Sequence, residues 1–285
     1  MKRIDSVSRI GLGILAGVLA LPAFAGTGTL IDDFDDGDLE GWVFEDRTTG
    51  QEGAASVLNG MVQMTTPAPV DGALFLAFAD SFLTPTYDDG TVTCTLRCDA
   101  IGTTAGFFLR SDGVNSSYLA FLATDEKGDG GLIYNRFEDG VLTGLEEMPN
   151  AFAVGQAWRL SAAAVGATIE LKAWPDGESE PPDAQLVITD TTFSTGGFGI
   201  FTSRLVNSGN PLQPLDASFD NVFFRQACPG DLNGDNGVGL SDLSTLLENF
   251  GTSPAELSDG DFDGDNDVDL ADLSHLLSQF GIACS

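Results

Sequence analysis

The chain has 285 residues, enough for one large domain and one small one. Apolar residues make up 42% of it and aromatics 9%, so a packed core is expected and disorder throughout is excluded. Lys and Arg number 12 against 43 Asp and Glu; the net charge of −31 repels phosphate backbones and anionic headgroups, excluding nucleic acid and anionic membranes as default partners and leaving cations, neutral glycans and other proteins.

From the N-terminus, Lys2, Arg3 and Arg9 precede an apolar run from Ile10 to Leu21, and Pro22 breaks that run ahead of Ala23-Phe24-Ala25. Positive charge, a greasy stretch too short to span a bilayer and a small-residue site make an export signal, with cleavage expected after Ala25. Residues 1–25 are therefore expected to be removed, leaving a secreted or cell-surface protein without a membrane span. A second boundary falls near Cys228, where the charge changes abruptly. Residues 228–285 hold 12 acids and no Lys or Arg, whereas residues 26–227 hold 30 acids and 9 bases.

Residues 26–227 consist of short strand-like segments divided by Gly, Asp, Asn and Pro, with no sustained helical period. Ala54 to Leu58 and Met61 to Thr65 flank Asn59-Gly60, a pair that accepts positive φ at both centres of a type I′ turn. Thr91 to Cys98 alternates, with Val92, Cys94, Leu96 and Cys98 on one face and Thr91, Thr93, Thr95 and Arg97 on the other, which predicts one buried and one wet face. Further strands are expected at Gly106 to Arg110, Tyr118 to Ala123, Leu132 to Phe137, Trp158 to Val165, Thr168 to Trp174, Leu186 to Asp190, Gly199 to Phe201 and Phe219 to Phe224. So many strands require two packed sheets, a mainly β sandwich. The opening Ile31-Asp32-Asp33-Phe34-Asp35-Asp36 with Gly41-Trp42, the Gly106 to Arg110 strand and the closing Phe219-Asp220-Asn221-Val222 resemble secreted concanavalin-A-like and laminin-G-like jelly rolls. That resemblance implies lectins, glycan-binding modules or glycosidases, and the fold does not choose among them.

The single histidine, His275, lies outside this domain, which excludes a histidine-based triad within it. A family of jelly-roll glycosidases carries Glu-x-Asp-x-x-Glu on one strand. The nearest string here is Glu178-Ser-Glu180-Pro-Pro-Asp183, whose prolines predict a loop, and no catalytic residue is nominated. Trp158 shares parity with Leu160 and Ala162 and is expected in the core. Trp174 shares parity with Thr168, Glu170 and Lys172, so it is expected to face solvent, where a ring can stack on a sugar. Tyr134 shares parity with both Leu132 and Arg136, which leaves its face open. Cys94 and Cys98 stand four residues apart on an extended strand, ~13 Å between Cα atoms against a limit of ~7 Å for a disulfide. They are expected as buried thiols, unless a bulge lets them pair.

The tail repeats itself at an offset of 30: Asp231 to Gly251 and Asp261 to Gly281 share 13 of 21 positions. Each copy sets oxygen side chains at loop positions 1, 3, 5 and 12, with a backbone carbonyl at 7, the donor set that Ca²⁺ requires. The expected ligands are Asp231, Asn233, Asp235, Gly237 by its carbonyl and Asp242, and in the second loop Asp261, Asp263, Asp265, Asp267 by its carbonyl and Asp272. Asn at position 6 tolerates the left-handed backbone that a sharp turn needs. Leu243, Leu246, Leu247 and Phe250, then Leu273, Leu276, Leu277 and Phe280, form amphipathic helical stripes, and Gly251 and Gly281 stop the helices. Two loop-helix units without entering helices resemble the type I dockerin family. The resemblance implies two bound Ca²⁺ and docking onto a cohesin-like receptor domain, or another surface protein, through Leu240-Ser241 and Leu270-Ala271 at positions 10 and 11. Those pairs differ from the Ser-Thr of well-known members. Cys228 and Cys284 bracket the tail, and the paired units should bring them together as a disulfide.

These observations favour a secreted, non-catalytic protein with a glycan-binding sandwich and a calcium-dependent docking tail. A polysaccharide-degrading glycoside hydrolase or lyase component and a structural cell-surface protein are the alternatives.

Overall fold

The computed structural model describes residues 29–47, 53–66, 74–79, 89–113, 115–124, 130–150, 152–204, 214–233, 237–255, 259–262 and 265–282. The expected export signal lies outside the described residues. Fifteen strands are described: β1 (Thr29–Asp32), β2 (Trp42–Asp46), β3 (Ala54–Leu58), β4 (Met61–Thr65), β5 (Leu74–Ala79), β6 (Gly90–Cys98), β7 (Thr103–Ser111), β8 (Ser117–Ala123), β9 (Gly130–Glu138), β10 (Val141–Asn150), β11 (Trp158–Val165), β12 (Thr168–Pro175), β13 (Leu186–Thr189), β14 (Gly197–Arg204) and β15 (Asp216–Gln226). Two helices follow, α1 (Leu240–Asn249) and α2 (Leu270–Ser278). Neither is long and apolar enough to cross a membrane.

The strands form two antiparallel sheets. One runs β13-β12-β11-β6-β15-β4-β3, with β1 also pairing β15; the other runs β10-β9-β8-β7-β14-β5-β2. Non-sequential neighbours such as β6 beside both β11 and β15 mark a sandwich in which the chain crosses between sheets. The alternation foreseen for β6 holds. Val92, Cys94, Leu96 and Cys98 are buried and belong to the shared core with Phe107 and Leu109 of β7, Leu160 of β11, Leu171 of β12 and Phe219 of β15. Cys94 and Cys98 are free thiols, because the strand stays extended and keeps them apart. The β3–β4 hairpin closes through Asn59 and Gly60 at φ +56° and +74°, with Leu58 opposite Met61, as the type I′ turn requires.

Asp139 and Gly140 close β9 onto β10 in the same manner, at φ +49° and +82°. The sequence reading passed over β10, as it did β1, β2 and β5. β10 is polar and bulged between Thr143 and Glu146, so period-2 alternation is broken within it. β5 reads Leu-Phe-Leu-Ala-Phe-Ala, a continuous apolar run with no alternation to detect.

Polar side chains tie the connections at the sandwich rim to the sheets. Arg110, buried beside a bulge in the β7–β14 register, donates to Asp89 Oδ1 at 2.6 Å and to the carbonyls of Gly166 and Phe193 at 2.8 and 2.9 Å. Asp190, just past β13, accepts from Tyr118 Oη at 3.1 Å, Tyr134 Oη at 3.0 Å and Arg136 Nη1 at 2.9 Å. Tyr134, whose face was open from sequence, is therefore a core residue with its hydroxyl partnered. Trp158 is in the core as expected, edge-on to Phe152 at 4.5 Å.

Candidate metal centre

The two tail loops end in an aspartate in the first turn of a helix, and that carboxylate organises each loop. Asp242 accepts the N–H of Gly239 on Oδ2 at 2.7 Å and that of Asn233 on Oδ1 at 3.2 Å. Asp272 accepts the N–H of Asp269 on Oδ2 at 2.7 Å and that of Phe262 on Oδ1 at 2.7 Å. Both aspartates are 0% exposed, so each fastens the start of its loop to the start of its helix from within the module. A buried carboxylate is costly unless fully bonded, and two N–H donors leave room on it for a cation.

The second loop converges further. Single carboxylate oxygens of Asp267, Asp269 and Asp272 all lie within 4.8 Å of one another. Two oxygens bound to one Ca²⁺ at ~2.3–2.6 Å stand no more than about 5 Å apart, so this all-oxygen group fits that ion. Asp261, also buried, accepts the N–H of Asn266 on Oδ2 at 3.0 Å. Asn266 has φ +70°, the left-handed turn expected of position 6. Asp265 Oδ1 accepts the Asp267 N–H at 3.1 Å, and desolvation followed by the carboxylates of Asp265, Asp269, Asp272 and Asp261 raises the Asp267 pKa.

This geometry differs from the expected set in one respect. Asp267 was assigned to the group through its carbonyl and Asp269 was left out, yet both bring carboxylates to Asp272. Asp269 also caps α2, accepting the Ala271 N–H at 2.6 Å. The capping signal Asp-x-x-Asp was present in the sequence and could have pointed to Asp269. In the first loop Gly239 holds the equivalent position and adds no carboxylate. Asp231, Asn233 and Gly237 are among the described residues, whereas Asp235 and Asp263 lie outside them.

The two units are joined crosswise. Val238, at position 8 of the first loop, donates to the Ile282 carbonyl at 3.0 Å and accepts the Gly281 N–H at 2.8 Å. Val268, its counterpart, donates to the Thr252 carbonyl at 3.2 Å and accepts the Gly251 N–H at 2.8 Å. Each loop is thereby bonded to the segment after the other helix. Leu246 and Leu276 fill the small core between them.

Only part of the predicted helical stripe is used in that core. Leu247, Phe250, Leu277 and Phe280 are exposed instead, and Leu240 and Leu270 are 75% and 71% exposed, next to exposed Ser241 and Ala271. A helix packed on a single neighbour buries a narrow seam, which leaves the flank of a wide stripe outside. Cys228 is buried and disulfide-bonded; Cys284, its expected partner, lies outside the described residues.

No protein-family model matches the sequence, and no curated protein matches it. Solved structures do. Carbohydrate binding module CBM66 from Bacillus subtilis is 21% identical, with a TM-score of 0.45, over 66% of this chain and 96% of its own. A Bacillus licheniformis beta-glucanase is 14% identical, with a TM-score of 0.49, over 70% of this chain and 98% of its own. The exoplasmic/lumenal domain of VIP36, solved in a Ca²⁺/Man3GlcNAc-bound form, is 9% identical, with a TM-score of 0.48, over 70% and 88%. The sandwich assignment rests on the strand pairing itself.

On the sandwich, Trp174 requires correction. It lies on the outer face with Glu170 and Lys172 as parity required, but it is only 6% exposed. Arg159, its partner across the β11–β12 ladder, lies over the indole at 6.0 Å from the ring centre, so no bare ring is offered to a sugar. The Glu178 to Asp183 string is a loop between β12 and β13, and Glu180 is bound to Lys172 Nζ at 3.0 Å.

Proposed function

We propose that this protein is exported and non-catalytic, with a β-sandwich over residues 26–227 that binds glycan and a tail over residues 228–285 that binds two Ca²⁺ and docks it onto a partner. The observation that carries the docking half is the duplicated carboxylate latch: Asp242 and Asp272, thirty residues apart, are both fully buried and both span loop and helix. Ca²⁺, when bound, neutralises the carboxylates gathered beside each latch. The ligands are Asp231, Asn233, Asp235, Gly237 and Asp242 in one loop, and Asp261, Asp263, Asp265, Asp267, Asp269 and Asp272 in the other.

With both loops filled, the tail holds Leu240, Ser241, Leu270 and Ala271 on its surface beside the exposed Leu and Phe side chains of α1 and α2. A cohesin-like receptor domain is the partner this dockerin-like face suits, and the Cys228–Cys284 clasp fixes its two ends. Calorimetric titration of the full secreted chain with Ca²⁺ tests the reading. Uptake of two ions, abolished by chelation and reduced to one by Asp272→Ala, is the expected result; no uptake refutes it. Pull-down by immobilised cohesin domains in Ca²⁺ but not in EDTA tests the partner, and release of reducing ends from a polysaccharide panel would replace binding with catalysis.

A further inference from the structure

Among the described basic side chains of the sandwich, five are neutralised by carboxylates: Arg47 by Glu45, Arg97 by Asp99, Arg110 by Asp89, Arg136 by Asp190 and Glu138, and Lys172 by Glu180. Arg159 is different. Its Nε–H is buried with no hydrogen-bond partner, and among the described residues it forms no ion pair. A half-buried guanidinium without a counter-charge is costly in a chain that carries 43 acids, and buried polar groups left without partners call for a cause.

The surroundings suit an oxygen-rich ligand. Arg159 lies between Thr95 on β6 and Trp174 on β12, directly opposite each across the ladder. In the next row of the same face, the hydroxyls of Thr93 and Ser161 stand 3.3 Å apart, with Lys172 opposite Ser161. The indole supports one side of the cation at 6.0 Å. A guanidinium held on an aromatic ring loses little freedom on binding and offers a planar fork, which matches a carboxylate better than a neutral hydroxyl does. The net charge of −31 does not decide the matter, because charges farther than ~8 Å are screened at physiological salt. Of the acids on this face, Asp99 and Glu180 are held by Arg97 and Lys172, Glu170 is attracted by Lys172, and Asp220, opposite Thr95 on β15, stands two strands from Arg159.

We infer that the outer face of the β6–β11–β12 sheet is a subsite for an acidic sugar, with the terminal nitrogens of Arg159, held on Trp174, receiving a uronate carboxylate and the half-buried Thr93 hydroxyl facing the ring oxygens above a floor of buried Thr95 and Ser161. This inference rests on the sandwich being a glycan-binding domain, and it replaces the neutral ligand that overall charge suggested.

The test titrates the full secreted chain with a galacturonic acid trisaccharide, its fully methyl-esterified form, a neutral xylose trisaccharide and sodium acetate, using calorimetry in EDTA to keep the tail loops from contributing. The trisaccharide acid should bind at least about tenfold more tightly than its ester, since a charged hydrogen-bonded pair is lost in the ester. Arg159→Gln should remove that preference, and Arg159→Lys, which keeps the charge without the fork, should recover only a small part of it. Unchanged melting of the sandwich transition in both variants excludes unfolding as the cause. Equal binding of acid and ester, or an acid preference that survives Arg159→Gln, overturns the inference while glycan binding stands. Binding of acetate as tight as that of the trisaccharide overturns it in favour of a simple anion site, and failure to bind any of the sugars removes the glycan reading together with it.

Discussion

Replacing Asp272 by Asn isolates the carboxylate charge at the latch of the second loop. The wild-type side chain accepts two backbone N–H groups at 2.7 Å each. Asn keeps one carbonyl oxygen, so one of those amides faces an NH₂ group, and the loss of one charged hydrogen bond costs about 1.5–3 kcal/mol. Without calcium a second effect opposes this one. The Asp272 oxygen lies within 4.8 Å of carboxylates on Asp267 and Asp269, and like charges at that distance repel, with solvent screening the repulsion because Asp267 and Asp269 reach the surface. Removing the charge therefore relieves repulsion in the apo protein, which opposes the loss of the hydrogen bond. With calcium bound the repulsion is already neutralised, and what remains is the lost hydrogen bond together with a weakened calcium ligand. In a unit of this size, 1 kcal/mol moves Tm by about 4–8 °C, so the calcium-loaded tail should melt about 10 °C or more lower, and the tail in EDTA should be lowered less or not at all. Scanning calorimetry of the full chain resolves this, because the tail transition is the one that shifts with EDTA. Asp242→Asn should have a smaller effect, since one of its two bonds is longer at 3.2 Å. An equal shift with and without calcium, or a larger effect from Asp242→Asn, refutes the reasoning.

Four further outcomes are expected. Asp261→Ala should lower calcium affinity more than Asp231→Ala, because the second loop holds six acids against three, and titration of both variants ranks them. Burial pushes the Cys98 thiol up to about 12 and Cys94 well above its usual range, so neither should react with a thiol reagent in the native protein, and both should react in guanidinium. Burial alone would raise Asp190, but hydrogen bonds from Thr192, Tyr134 and Arg136 outweigh it and hold the carboxyl at about 2; its contribution to stability is complete above the unfolded value of ~3.9 and is lost as pH falls through about 2, a limb that Asp190→Asn should flatten in acid melting curves. Gly106→Ala should destabilise the sandwich by at least about 1–3 kcal/mol in urea, since a Cβ there would collide with the Ala120 carbonyl and Phe121, which Gly106 lets approach Phe201 edge-on at 5.6 Å.

What the sequence disclosed follows from where period-2 alternation survives. β6 and β12 each have one core face and one outer face, so their inward residues could be named one by one. β7 reads as almost uniformly buried, because Phe108 on its outer side joins Phe121, Ile133 and Phe201 in a second apolar cluster; a strand covered on both faces has no alternation to read. Trp174 fails for another reason. Its face was right and its exposure was wrong, because exposure was set by Arg159, fifteen positions earlier in the chain and adjacent only through strand pairing. The repeated acidic loops, with an aspartate in the first turn of each following helix, were legible because their spacing is a local property. Asp269 was missed because one side chain serves both as helix cap and as a member of the carboxylate group.

Under the proposed function, the exposed helix face and the acidic loops of the tail act as parts of one device. Its core among the described residues is Cys228, Val238, Leu246, Ala255, Phe262, Val268 and Leu276, a small set for a unit of this length. Domains below about 70–80 residues seldom bury enough apolar surface to hold together without staples such as metals or disulfides. Leu247, Phe250, Leu277 and Phe280 would enlarge that core if they turned inward, yet they stand exposed. The sequence thus leaves apolar area outside where a partner can cover it, and calcium in the proposed loops would make up the lost burial by neutralising charge. Because position 8 of each loop is bonded behind the other helix, a change in one loop should be felt at both helices. A partner covering both helices would then read the two proposed sites together, and calcium affinity and docking affinity should rise or fall by the same coupling free energy, which titration of calcium with and without the partner measures.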